Sequence, residues 1–292
     1  MILGDDRLKV IENIKDNANS SEFHKKVELN DPVLTSDQAK EITNNYLNKR
    51  STFSYKFKSS FARLIANVGG SIINKNTEIV GDIDKEILLG GAIITSNHFS
   101  PLENTIIRHY ARKNGVKRMN VISQVTNFAM PGFIGFLMNY ADTIPLSADP
   151  RYFSKELVNI IEEKVSNKEL VLVYPEQEMW FNYRKPRPQK EGAYHFAAKL
   201  SIPIISCFVE IIDEDSLENI DFYKTHYRLH LLGVLHPAPN KSVKENRIEL
   251  CQQDYKLKKD AYERIYNKKL DYKFESSDIA GWIDYSWVYS DD

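Results

Sequence analysis

From residue 90 onward the chain alternates between short runs that are apolar at nearly every position and longer stretches that are apolar on one helical face. The runs are "GAIITS" (91–96), "RMNVIS" (118–123), "ELVLVYP" (169–175), "IPIISCFVEI" (202–211) and "YRLHLLGVLH" (227–236). Between them lie "LENTIIRHYARKNG", "SKELVNIIEEKVSNK" and "GAYHFAAKLS", and a charged helix is expected from Ser242 to Lys268. A strand with no polar face has to be covered on both sides. The pattern therefore predicts an α/β fold: a mostly parallel sheet with helices on both faces, a helical N-terminal lead-in and a C-terminal helix.

Three regions follow. Residues 1–75 read as a helical N-terminal region, 76–240 as the α/β domain, and 241–292 as a C-terminal helix and tail packed on that domain, with Trp282 and Trp287 of "AGWIDYSW" docking the tail. "TSDQ" (35–38) fits a capping box ahead of a helix. In "FSYKFKSSFARLIANVGG" (53–70), Phe57, Phe61, Leu64, Ile65 and Val68 share a helical face, Lys56, Lys58 and Arg63 lie elsewhere, and Gly69 and Gly70 are expected to close the helix. Two destinations stay open for that face: the core of the domain, or a lipid headgroup layer. The apolar segment Phe128–Met138 has similar alternatives, as core, as acyl-groove lining or as a membrane contact.

Lys and Arg total 39 against 40 Asp and Glu, so no overall field draws the chain to nucleic acid. The two cysteines, Cys207 and Cys251, lie far apart and match no metal-ligand spacing. With charges from the fifth residue and no apolar run of about 20 residues, the chain is expected to be cytoplasmic, with neither a signal peptide nor a spanning helix.

Chemistry concentrates where apolar runs break. "NHFSPLEN" (97–104) follows one such run. Ser100, Pro101 and Glu103 suffice for a capping box at a helix start, with Ser100 as N-cap and Pro101 as first helical residue. That reading leaves Asn97 and His98 unexplained at a strand's carboxyl end, where ligands bind in open α/β sheets. Five residues turn a helix about 140° past a full turn, so His98 and Glu103 meet only across a bend. There the carboxylate would fix one imidazole nitrogen and free the other as a base. A second break, "LVLVYPEQEMW" (170–180), brings Glu176, either as a holder of acceptor hydroxyls or as a surface carboxylate at the turn. The following Arg184, Lys185, Arg187 and Lys190 form an acid-free basic run, either solvated or a phosphate clamp.

The succession "TSNHFSPLE", an apolar glycine-containing segment, "VYPEQE" and "KEGAYHFAAKLSIPIIS" resembles the glycerolipid acyltransferase family, which includes lysophosphatidic acid acyltransferases. The resemblance spans residues 78 to 212. It implies that His98 is the general base and Glu103 its orienting carboxylate, that Asn97 and Ser100 belong to the substrate side of the first motif, that Pro175-Glu176 begins the third motif and that Ile202-Pro203-Ile204 is the fourth. Where the family has Gly-Thr-Arg-Ser, this chain has Gln177-Glu178-Met179-Trp180, which removes the arginine expected on the acceptor phosphate. Arg184, Lys185 and Arg187 are the candidates to replace it, and Arg151 takes the place of the second-motif arginine.

The implied reaction moves an acyl group from a thioester of coenzyme A or acyl carrier protein to a hydroxyl of a lysophospholipid or related lipid or glycolipid. It needs no further cofactor and no metal, and it places the chain peripherally on the inner face of the membrane. The alternatives are a thioesterase using the same dyad on water, and a non-catalytic lipid-binding homologue.

Overall fold

A computed structural model describes residues 6–29 and 31–285; Trp287 lies outside them. Helices α1 (Arg7–Asn19), α2 (Ser36–Lys49) and α3 (Phe53–Ile73) lead into β1 (Glu78–Val80), α4 (Lys85–Gly90) and β2 (Ala92–Thr95). Next come α5 (Asn104–Lys113), β3 (Met119–Gln124), α6 (Gly132–Tyr140), β4 (Thr143–Leu146), α7 (Leu157–Ser166) and β5 (Leu170–Val173). The chain continues through α8 (Gly192–Leu200), a long hairpin of β6 (Ile204–Leu217) and β7 (Tyr223–Leu235), and α9 (Val243–Tyr266).

The described strands form one seven-stranded sheet in the order β1-β7-β6-β2-β5-β3-β4. Neighbours run parallel from β6 through β4, and β1 is parallel to β7, but β6 and β7 pair antiparallel. The apolar runs divide by pleat as the α/β pattern requires. Ala92, Ile94, Leu170, Leu172, Ile205 and Cys207 face a core that includes Leu88 of α4 and Ile106, Ile107 and Tyr110 of α5. Ile93, Val171 and Ile204 face the opposite core, built by α7 and α8 with Leu250 of α9. Gly91, at φ +95°, makes the sharp entry to β2, where a Cβ would stand 2.4 Å from the Val165 carbonyl oxygen.

The N-terminal helices are packed onto the sheet domain. Val10, Ile11 and Ile14 of α1, with Phe23 and Val27 beyond it, form a third cluster with Trp180, Phe181, Tyr183, Phe222 and Ile279. Trp282, partly buried, joins that cluster. Thr35 and Gln38 make both bonds of the capping box on α2.

The third helix departs from expectation in two respects. Gly69 and Gly70 do not end α3, which runs on to Ile73. Gly70 instead lets α3 approach α5, since a Cβ there would already lie 3.3 Å from the Thr105 Cβ, and Asn74 closes the end by donating to the Gly70 carbonyl and the Thr105 hydroxyl, both at 2.8 Å. Its apolar face is uncovered: Phe57 is 69% exposed, and Phe61, Leu64 and Val68 are exposed with it. Phe133 of α6 is exposed too, and the Phe61 and Phe136 rings lie 6.3 Å apart. Within the segment Phe128–Met138, Phe128 and Gly135 are buried, Gly132 and Phe133 of α6 are exposed, and the other α6 residues are partly buried.

Candidate active site

The central strand β2 delivers the first part of the site. Its carboxyl end is pinned from below by Asp254 of α9, which accepts from Thr95 Oγ1 at 2.8 Å and Lys258 Nζ at 2.7 Å and also bonds Ser206 and Tyr194. All of these groups are buried, so one carboxylate ties β2, β6, α8 and α9 together just beneath the strand end. Two residues on, the Asn97 side chain continues the β2–β6 ladder: Nδ2 donates to the Val209 carbonyl at 3.0 Å and Oδ1 accepts from the Val209 N–H at 2.8 Å. Asn97, expected beside substrate, is thus spent on backbone, and it fixes where the chain leaves the sheet.

His98 follows at that exit. The bend between strand and helix brings Glu103 back to it, and Glu103 Oε1 bonds His98 Nδ1. Glu103 Oε2 accepts from the Phe99 N–H at 2.5 Å and the Ser100 N–H at 2.7 Å, and the side chain is 1% exposed. These donors hold the carboxylate in one position. They also explain why the helix starts later than the capping-box reading places it. Residues 101–103 form a turn, α5 begins at Asn104, and the Ser100 hydroxyl oxygen accepts from the Leu102 N–H at 3.3 Å.

The ring of Tyr174, at the end of β5, stacks on His98 with centroids 4.1 Å apart and planes 7° from parallel. Burial, and then the Glu103 charge, hold the Tyr174 phenol well above its ordinary range. Among the described residues no hydrogen bond engages His98 Nε2, and 20% of the His98 side-chain surface is open. The arrangement is an imidazole with one nitrogen oriented by a carboxylate and the other left without a described partner.

Glu176 is neither exposed nor free. It is 2% exposed, accepts from the His98 N–H at 3.3 Å, and holds Arg187 through its backbone N–H at 3.1 Å and its Nε at 3.2 Å. The basic run is likewise not an open clamp. Arg187 is fully buried, donates to the Phe23 carbonyl at 2.9 Å and to the carbonyls of His98 and Glu178, and lies 4.7 Å from the Trp180 ring centroid. Lys185 is buried on Asp278 at 2.8 Å and the Lys273 carbonyl at 2.7 Å. Arg184 meets Asp213 at 2.6 Å and the Ser277 carbonyl at 2.7 Å. The physical reason is charge compensation from distant segments: acids of the hairpin and C-terminal region, and carbonyls of the N-terminal segment, neutralise cations that look unpaired in local sequence.

Arg151 is not brought to His98. It is exposed beyond the carboxyl end of β4, the outermost strand, which lies about 14 Å from β2 by three strand spacings. Sequence reasoning missed Tyr174, Asp254 and the N-terminal segment 23–28 that roofs the 176–188 loop. Tyr174 alone had a local signal, as the last residue of an apolar run.

The sequence profile of the acyltransferase family matches residues 77–210. Residues 77–210 belong to the acyltransferase family. The match takes in β2, the His98–Glu103 bend, Tyr174, Glu176 and the 176–188 loop. The crystal structure of the 1-acyl-sn-glycerophosphate (LPA) acyltransferase PlsC from Thermotoga maritima is similar over 91% of this chain and 98% of that one, with 14% identity and a TM-score of 0.49. No curated protein sequence matches the chain.

Proposed function

We propose that this acyltransferase moves a fatty acyl group from an acyl thioester, carried by coenzyme A or acyl carrier protein, to a hydroxyl of a lipid acceptor, with His98 as general base. The observation that carries the reading is the bond from Glu103 to His98 Nδ1, made by a carboxylate that two backbone N–H groups also hold. In the reaction His98 Nε2 takes the hydroxyl proton as the oxygen attacks the thioester carbonyl. Glu103 stabilises the imidazolium, the C–S bond breaks, and the same proton passes to the departing sulfur. No covalent enzyme intermediate is needed.

The uncovered face of α3, with Phe57, Phe61, Leu64 and Val68, and the neighbouring Phe133 support a lipid surface as the place where acceptor and acyl chain are met. Lys58, exposed on the same helix and 5.3 Å from the Tyr140 ring centroid, suits headgroup phosphates beside it. Among the described residues no helix is long and apolar enough to cross a membrane.

The test is mass spectrometry of products from purified protein given acyl-CoA or acyl carrier protein thioesters and a panel of lysolipids. Acylated acceptor is the expected product, and His98→Ala should lower its formation by about 10²- to 10⁴-fold. Free fatty acid as the main product would make the chain a thioesterase, and unchanged turnover in His98→Ala would remove the base from the mechanism.

A further inference from the structure

Resting on the acyl-transfer reading of His98, we propose that Glu178 selects the acceptor: the hydroxyl presented to His98 belongs to a lipid with an uncharged, polyhydroxylated headgroup, not to one bearing a phosphate monoester.

The placement of Glu178 is fixed by backbone. One nitrogen of Arg187 bonds the carbonyls of both His98 and Glu178, and the Trp180 N–H donates to the His98 carbonyl at 3.1 Å. The Glu178 backbone is therefore held beside that of the base. Glu178 Oε1 accepts from Gln124 Nε2 at 3.1 Å, which sets the carboxylate over the carboxyl end of β3, and no hydrogen bond to a described residue engages its second oxygen. Burial pushes its pKa up, as expected of a partly desolvated carboxylate that lacks an ion-paired cation.

The neighbouring charges do not supply that cation. Arg187, Lys185 and Arg184 are committed to Glu176, Asp278 and Asp213, and Lys26 pairs with Asp31 at 2.7 Å. Glu28 in the roofing segment adds no second anion: both its oxygens are buried without a partner among the described residues, and burial, with Asp31 and Glu178 nearby, pushes it up to about 8, so it is mostly protonated near neutral pH. The Glu178 carboxylate thus presents one hydrogen-bond acceptor in want of a donor near His98. Among the described residues no cation is ion-paired to Glu178, so a phosphate dianion there would meet its charge, whereas the hydroxyls of a sugar or polyol would donate to its open oxygen. Like-charge exclusion and an unmet acceptor both favour the neutral headgroup.

The test separates headgroup choice from turnover by measuring binding in His98→Ala protein. Hexyl glucoside and hexyl phosphate are titrated calorimetrically into His98→Ala, His98→Ala/Glu178→Gln and His98→Ala/Glu178→Lys. In the parent the glucoside is expected to bind at least about 10-fold more tightly than the phosphate, with the ratio narrowed by Glu178→Gln and reversed by Glu178→Lys. Each ratio is taken within one protein, so a partial loss of folded material cancels. Equal or tighter binding of the phosphate by the parent, no glucoside binding, or a ratio indifferent to residue 178 overturns the proposal. Acyl transfer is scored separately in the product assay on the wild-type chain, so a wrong headgroup and an absent transfer reaction give different results.

Discussion

Arg187 shows what separates a binding cation from a structural one. Its guanidinium is desolvated, so it persists only because Glu176 and three backbone carbonyls surround it. Arg187→Ala should destabilise the chain by about 3–5 kcal/mol, because it leaves the Glu176 charge buried and uncompensated, read as a lower urea midpoint at unchanged slope. A second expectation concerns Glu28. Unfolded, its carboxyl titrates near 4.5; folded, near 8. Between those values the native chain holds one more proton than the unfolded chain, so this group makes stability fall as pH rises from about 4.5 to about 8. Glu28→Gln should therefore gain stability over wild type at pH 8.5 and none at pH 4, a comparison made by urea unfolding at both. An equal gain at both would mean that the carboxyl is not the cause. The same residues mark the limit of sequence reading. His98 and Glu103 are five apart, so one bend decides their meeting, and the bend was legible. The partners of Arg184, Lys185 and Arg187 come from Phe23, Asp213 and Asp278, and no local pattern announces them.

Among the elements, the strands of the α/β core were legible because each is apolar on both faces, and the helices between them because each is apolar on one. Strand β1 was not. It has only three residues, with the outer two exposed, and its existence depends on pairing with Arg228–His230 of β7. The length of α3 was misread for a related reason: a glycine ends a helix by turning left-handed, and here Gly69 and Gly70 keep helical backbone, with Gly70 serving a close approach to Thr105 of α5. Its uncovered face yields an element-scale prediction. Replacing Phe57 and Phe61 together by Asp should reduce sedimentation with phospholipid vesicles by about 10-fold or more while leaving urea stability nearly unchanged, since neither ring is buried in the core. Turnover on vesicle-borne acceptor should fall in parallel, and turnover on a soluble short-chain acceptor should not. A loss of stability matching the loss of binding would place the face in the core after all.

At the scale of the molecule, the N-terminal segment and the candidate active site share one core. Ile14 of α1 is fully buried in the cluster that contains Trp180 and Tyr183, the Trp180 indole N–H donates to the Lys25 carbonyl at 3.1 Å, and Arg187 donates to the Phe23 carbonyl. The loop that carries Glu176 and Glu178 is thus held from two sides, by the sheet and by residues 10–27. A detached helical lead-in would let α1 melt alone without consequence for His98. A shared core predicts the opposite. Ile14→Ala should cost about 2–5 kcal/mol and move a single cooperative transition, with Trp fluorescence and far-ultraviolet circular dichroism giving the same midpoint. A partial loosening of the segment should also lower acyl transfer below the melting temperature, because the Glu176 bond to the His98 N–H depends on the same loop. Two separated transitions, with transfer unaffected after the first, would show that α1 is an appendage and that the roof over the loop is dispensable.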